Sequence, residues 1–224
     1  MKITFLGTGA ADWTRQEHST WPGYRRNSSA LIDDVLLIDP GPDVPLALEA
    51  FHKDKNAIRC IINTHRHPDH YAEETLRQLP GAEFVEIKAG QQIQKGSYCI
   101  RGLQANHGTC DEAVHFIISD GEKNLFYGLD GAWLLYEEYL AIQETGIDLA
   151  VLDATVGFAD GDFRIFQHND LNMVLEIKKA LAPWIRRWCI SHMARTLHTD
   201  HATLATVMAA QGVETAFDGL ELTL

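Results

Sequence analysis

The 224-residue chain holds no uninterrupted apolar run near the ~20 residues that a bilayer crossing needs, so a membrane-spanning helix is not expected. Cysteine is sparse: Cys60, Cys99, Cys110 and Cys189 are scattered without paired spacing. That pattern argues against a disulfide framework. With no cleavable signal stretch at the start, the expected compartment is the reducing cytoplasm. Basic residues are in the minority, 19 lysines and arginines against 31 acidic residues, for a formal charge of −12. A broad nucleic-acid surface, which needs clustered lysine and arginine, is therefore not expected. Internal repeats, low-complexity tracts and linkers are absent too, and the length suits one large domain over 1–224.

Histidine is plentiful, with eleven residues. The densest group is Thr64-His65-Arg66-His67-Pro68-Asp69-His70, directly after the apolar run Cys60-Ile61-Ile62. Such a run reads as a buried strand that spills onto a loop. On extended backbone, residues two apart share a face, so His65 and His67 point the same way. Beyond Pro68 the pattern from His70 to Leu79 predicts a helix with Asp69 at its cap, which turns Asp69 and His70 toward a second point. Ligand-type side chains with two aiming points suggest two metal ions.

In chain order, Met1 to Leu6 alternates like a strand and meets the tight turn Gly7-Thr8-Gly9. Residues 12–29 form a long polar and aromatic loop, read either as a flap whose Arg25 and Arg26 attract an anion or as a surface excursion. Two strand-like runs, 29–33 and 35–39, end at Asp39 before Pro40-Gly41-Pro42. Asp39 could orient a metal-binding histidine or cap the next segment. A short helix is expected over 43–53 and short strands over 83–87 and 98–105, the latter ending at His107. His115, inside the strand 114–118, reads as a packed residue rather than a ligand.

The second half repeats this logic. Strand 123–129 delivers Asp130, strand 149–152 delivers Asp153, and Trp188-Cys189-Ile190 leads to Ser191-His192. Helices are expected near 133–144, 170–181 and 199–211. Strands then helices, twice over, predict an α/β fold: an αββα sandwich of two mixed β-sheets face to face, helices outside, and strand ends along one rim.

The strand-end set His65, His67, Asp69, His70, His107, Asp130 and His192 resembles the metallo-β-lactamase fold hydrolases, whose signature is a His-x-His-x-Asp-His loop followed by His, Asp and His. The resemblance covers nearly the whole chain and fills every ligand position in order. It implies a first ion on His65, His67 and His107, a second on Asp69, His70 and His192, and Asp130 bridging both. Imidazoles and carboxylates suit zinc and manganese alike. Two divalent ions about 3.5–4 Å apart can hold a bridging hydroxide and stabilise charge on the attacked centre.

Within that superfamily, His168-Asn169-Asp170-Leu171-Asn172, the Leu152-Asp153 strand end and Ser191-His192 resemble the PhnP-type phosphodiesterases. That likeness implies a small, possibly cyclic, anionic phosphate ester as substrate and His168 as a general acid beside the leaving group. The alternative for His168 is a cap on the helix that starts near Asp170. The better-known members of that group carry a cysteine cluster for a structural zinc, and residues 10–29 here have no cysteine. A third metal is therefore not expected. His198 and His201 either contact substrate at the pocket mouth or cap and solvate the last helix. A thioesterase or lactonase of the same fold is the competing enzyme reading, and a non-catalytic binding protein the competing class. No membrane partner is expected, and the sequence permits a homodimer.

Overall fold

A computed structural model describes residues 1–13 and 23–224. The centre of the expected 12–29 loop, read as a flap or as a surface excursion, therefore lies outside the described residues. The chain clusters into two compact units, Met1–Glu86 with Ala216–Thr223, and Ile87–Thr215 with the last residue. Among the described residues, no helix is long and apolar enough to cross a membrane.

The first unit is built on a mixed six-stranded sheet. Its strands are β1 (Lys2–Gly7), β2 (Ser29–Ile32), β3 (Leu36–Ile38), β4 (Cys60–Ile62), β5 (Glu83–Val85) and β13 (Glu221–Thr223), in the order β13-β1-β2-β3-β4-β5. Strand β2 pairs antiparallel with β1, and β3 turns back on β2 through Asp33 and Asp34, both at positive φ. Strands β3, β4 and β5 then run parallel. The helix α1 (Val44–Ala50), which starts after Asp43 with a proline in its first turn, lays Val44, Ala47 and Leu48 on a core with Leu31, Leu37, Ile58 and Ile61. Each of the buried valine, leucine and isoleucine side chains contributes about 1.5–3 kcal/mol.

One expected element starts late. The helix predicted from His70 begins only at Glu73, as α2 (Glu73–Arg77), and its cap position is Ala72 rather than Asp69. The backbone N–H groups of His70 and Tyr71 both bond to the His67 carbonyl, at 2.9 and 3.0 Å, and Ala72 N–H reaches the Pro40 carbonyl at 2.9 Å. These bonds commit residues 67–72 to a turn. Gly41 backs that turn, because a Cβ there would strike the Asp69 carbonyl oxygen.

The second unit carries a mixed seven-stranded sheet. Its strands are β6 (Gln92–Lys95), β7 (Tyr98–Gln104), β8 (Val114–Ser119), β9 (Asn124–Gly128), β10 (Ile147–Asp153), β11 (Ile185–Ser191) and β12 (Glu214–Thr215), in the order β12-β11-β10-β9-β8-β7-β6. Strands β9 to β12 are parallel, and β6, β7 and β8 join antiparallel. The short edge strand β6 is polar and half-exposed and has no hydrophobic alternation to announce it. Helices α3 (Tyr136–Thr145), α4 (Leu171–Leu181) and α5 (His201–Ala210) fall where the sequence places them. Leu171, Val174, Ile177 and Leu181 recur along one face of α4 and pack with Phe126, Ala150, Leu152 and Ile190 of the sheet.

Candidate metal centre

Parallel strands deliver their carboxyl ends to one sheet edge, where ligand sites of α/β sheets form. In the first unit, Ile38 of β3 stands opposite Ile62 of β4, so the residues just past each strand meet. Asp39 is the result. Its Oδ1 accepts from Thr64 N–H at 2.7 Å and from Asn63 Nδ2 at 2.9 Å, while Oδ2 lies 2.8 Å from His70 Nδ1. Asp39 thus orients a histidine of the motif, and the residue at the cap position of α1 is Asp43, whose side chain accepts Asn27 N–H instead of a helix N–H. With Nδ1–H given to Asp39, His70 turns a lone pair on Nε2 toward Asp69 Oδ2, 3.3 Å away. The rings of His67 and His70 sit 4.4 and 4.5 Å from that of His65.

In the second unit, β7, β9, β10 and β11 all run one way and end at one edge, with Asp153 the last residue of β10 and His107, Asp130 and His192 just beyond the other three. Asp130, Asp153, His168 and His192 each offer a ligand atom, all within 4.8 Å of one another. Asp130, Asp153 and His192 are buried and His168 is half-buried. The imidazoles are set from behind. His107 Nδ1 donates to the Gln167 carbonyl at 3.1 Å. Thr155 Oγ1 stands 2.7 Å from both Asp153 Oδ1 and His192 Nδ1. If its single proton goes to the carboxylate, it accepts from His192 Nδ1–H. His192 Nε2 then faces Asp130 Oδ1 at 3.4 Å.

His70 and His192 therefore each present an imidazole lone pair to a carboxylate oxygen, acceptor against acceptor, an arrangement that a cation between them satisfies. His107 has its Nδ1 tied to a carbonyl, which makes Nε2 its lone-pair side, 3.4 Å from the Thr109 hydroxyl. Such backing hydrogen bonds are what metal-binding histidines use. The donor set thus fits divalent metal.

Backbone conformation marks the same residues. Asp39, Asp130 and His192, each just past a strand run, take φ of 59°, 58° and 60°. A non-glycine residue in that left-handed region costs about 1–2 kcal/mol, and such strain gathers at functional sites.

Asp153 is the residue whose part the sequence did not reveal, although its place at a strand end beside that of Asp130 is visible there. It holds His168, with Nδ1 at 2.7 Å from Oδ2, and also receives Thr155 N–H at 2.7 Å and Gly131 N–H at 3.3 Å. Burial pushes its carboxyl pKa up, but the neighbouring His168 and then His192 bring it below the ordinary value of 3.8. His168 does not cap α4. Asp170 does, accepting Met173 N–H at 2.7 Å.

Several sequence expectations land elsewhere. Arg25 is buried, donating to Thr8 Oγ1 at 2.6 Å and the Ala216 carbonyl at 2.8 Å. Burial lowers its pKa to about 10 against the opposing pull of Asp218. Arg26 gives its N–H to Asp218 at 2.7 Å and lies over the Phe51 ring. Both arginines tie the first glycine turn to residues 216–218 instead of offering their charge to an anion. His198 donates from Nε2 to the Ala154 carbonyl at 2.7 Å, and His201 is the first residue of α5. Neither belongs to the cluster around Asp130. His115 is packed, as expected, with Nδ1 at 2.5 Å from Glu138 Oε1.

Residues 23–73 match the family model of the metallo-beta-lactamase superfamily. Among solved structures, the chain is similar to a diphosphatase from the PhnP family, at 19% identity and a TM-score of 0.75 over 100% of this chain and 97% of that one. It is similar to the metallo-beta-lactamase fold protein YhfI from Bacillus subtilis, at 16% identity and a TM-score of 0.76 over 99% and 98% of the two chains. Human tRNase Z, short form, follows at 16% identity and a TM-score of 0.72 over 100% and 99%. No curated protein matches the chain in sequence.

Proposed function

The chain has the metallo-β-lactamase fold, and on it we propose a metal-dependent hydrolase that cleaves a small phosphodiester. The carrying observation is the cluster of Asp130, Asp153, His168 and His192 within 4.8 Å, with imidazoles oriented from behind. His65, His67 and His107 would hold one divalent ion, Asp69, His70 and His192 a second, and Asp130 would be shared. Bound there, zinc or manganese supplies Lewis acidity and an activated water.

The chain's own residues do the rest. His168 stands against Asp153, which fixes Nδ1–H and stabilises the imidazolium form. The opposite nitrogen, Nε2, then carries the proton that the departing alkoxide needs. Its ring stacks on that of His192 at 5.5 Å and contacts that of His107 at 5.1 Å, which keeps it at the ligand edge, and in this reading it gives its proton to the leaving group and holds no metal. Asp39, Thr64 and Thr155 hold the ligand imidazoles in one tautomer and orientation.

The testing experiment loads the protein with zinc or manganese and compares an activated phosphodiester, a cyclic ribose phosphate, a thioester and a lactone. The phosphodiesters are expected to turn over fastest. A clear preference for thioester or lactone would move the chain to that chemistry, and no turnover of any would favour a binding protein.

A further inference from the structure

The turn from Asp130 to Trp133 is gripped on several sides. Asn106, which precedes His107, accepts Ala132 N–H on its backbone carbonyl at 2.9 Å and donates from Nδ2 to the Ala132 carbonyl at 2.6 Å. Asn169, which follows His168, accepts Trp133 N–H on Oδ1 at 2.6 Å. Gly131 lies against the His115 ring, where a Cβ would stand 2.7 Å from Cε1.

Under that grip Trp133 takes φ of 60°, a left-handed conformation that bulky side chains rarely adopt, while its side chain stays 47% exposed. A tryptophan recruited for core burial would be neither strained nor half in water. The other segment that carries the site shows the same trait. The 3₁₀ turn Phe163–Phe166, which leads into His168, leaves Phe163 and Phe166 71% and 75% exposed. Its backbone is fixed to the site, with the Phe166 carbonyl against Gly108 and the Gln167 carbonyl on His107. Exposed rings thus flank both Asp130 and His168 along the chain, on backbone that those residues' neighbours hold in place.

Phosphate charge is served by the imidazole edge, so an exposed indole three residues past Asp130, on a strained turn that Asn106 and Asn169 hold, answers a different part of the substrate. We propose that Trp133 is a stacking shelf for a planar heteroaromatic group on the substrate, so that the substrate class is a nucleobase-bearing phosphodiester. A flat π-face recognises any base without reading its sequence. The inference rests on the phosphodiesterase reading above.

The test uses two diesters that share p-nitrophenol as leaving group and differ in the other arm, thymidine 5′-(p-nitrophenyl phosphate) and methyl p-nitrophenyl phosphate. The metal-loaded protein is expected to favour the thymidine ester by about tenfold in kcat/KM, mainly through KM. Trp133→Ala and Trp133→Gly, the second compatible with positive φ, should collapse that ratio, and Trp133→Phe should keep it. Thymidine 5′-monophosphate should also quench tryptophan emission in the parent protein and not in Trp133→Phe. No preference in the parent, or a preference that survives in both small variants, overturns the shelf while the phosphodiesterase reading stands. Failure to cleave either ester sinks that reading itself. A shift from dimer to monomer in Trp133→Ala, with no quench in the parent, would give the ring to a second copy of the chain and also overturn the proposal.

Discussion

Asp153 Oδ2 and His168 Nδ1 stand 2.7 Å apart, the carboxylate fully buried and the imidazole still 14% open to solvent. A buried acceptor behind a partly open ring is the geometry of a proton donor held from the rear. Asp153→Asn puts an N–H where an acceptor is needed. It is expected to cut kcat by about 10²–10⁴ for esters with alkoxide leaving groups and far less for p-nitrophenolate. His168→Ala should give the same pattern, and the double variant should be little worse than either. A loss independent of leaving group would remove His168 from the acid role.

The two asparagines beside the site histidines make opposite demands. Asn169 accepts from Trp133 N–H, so Asn169→Asp keeps the bond and Asn169→Ala loses it. Asn106 donates to the Ala132 carbonyl, so Asn106→Asp sets acceptor against acceptor. Thermal unfolding should place Asn169→Asp near the parent and Asn106→Asp about 1–3 kcal/mol below it, the cost of an unmet buried polar group. Equal effects at both sites would contradict the assigned bonds.

His115 and Glu138 give a pH signature. Burial alone would lower the His115 pKa, yet Glu138 and then the more distant Asp153 and Asp130 raise it above 6.5. A raised folded value means stability that is complete below the unfolded value of 6.5 and fades as pH climbs through the folded one. Glu138→Gln should therefore cost about 2 kcal/mol in acid and progressively less above that point, read as the gap between unfolding midpoints across pH in chelator. A gap that does not change with pH would contradict a charged pair.

Arg25 is expected to act on stability, not on substrate. Arg25→Ala removes a buried positive charge that offsets Asp218, whose carboxyl burial already pushes above its ordinary pKa, and breaks the bonds to Thr8 and the Ala216 carbonyl, while Asp218 keeps Thr8 Oγ1 and Arg26 N–H. A loss of about 1–3 kcal/mol in denaturant unfolding is expected, with KM for anionic esters unchanged in the folded fraction. A selective rise in KM would return this arginine to the site.

Much of the centre was legible because strand ends announce it. Cys60-Ile61-Ile62 before the histidine run, Leu125 to Tyr127 before Asp130 and Trp188-Cys189-Ile190 before His192 are apolar runs broken by ligand types. What stayed hidden depends on pairing between strands. That β3 lies parallel to β4 in the register that joins Asp39 to Thr64 is not local information, and neither is the approach of Asp153 to His168 across 15 residues. Arginines near a glycine turn look available in sequence; only the fold shows Arg25 spent on Thr8 and Ala216. The delayed start of α2 has the same origin, since Pro40, distant in sequence, supplies the carbonyl that holds Ala72.

Elemental analysis of protein loaded with zinc or manganese and then dialysed tests the central claim most directly. The account predicts about two ions per chain in the parent and loss of retained metal in Asp130→Asn. A parent that keeps no stoichiometric ion, or an Asp130→Asn protein that keeps as many as the parent, would contradict it.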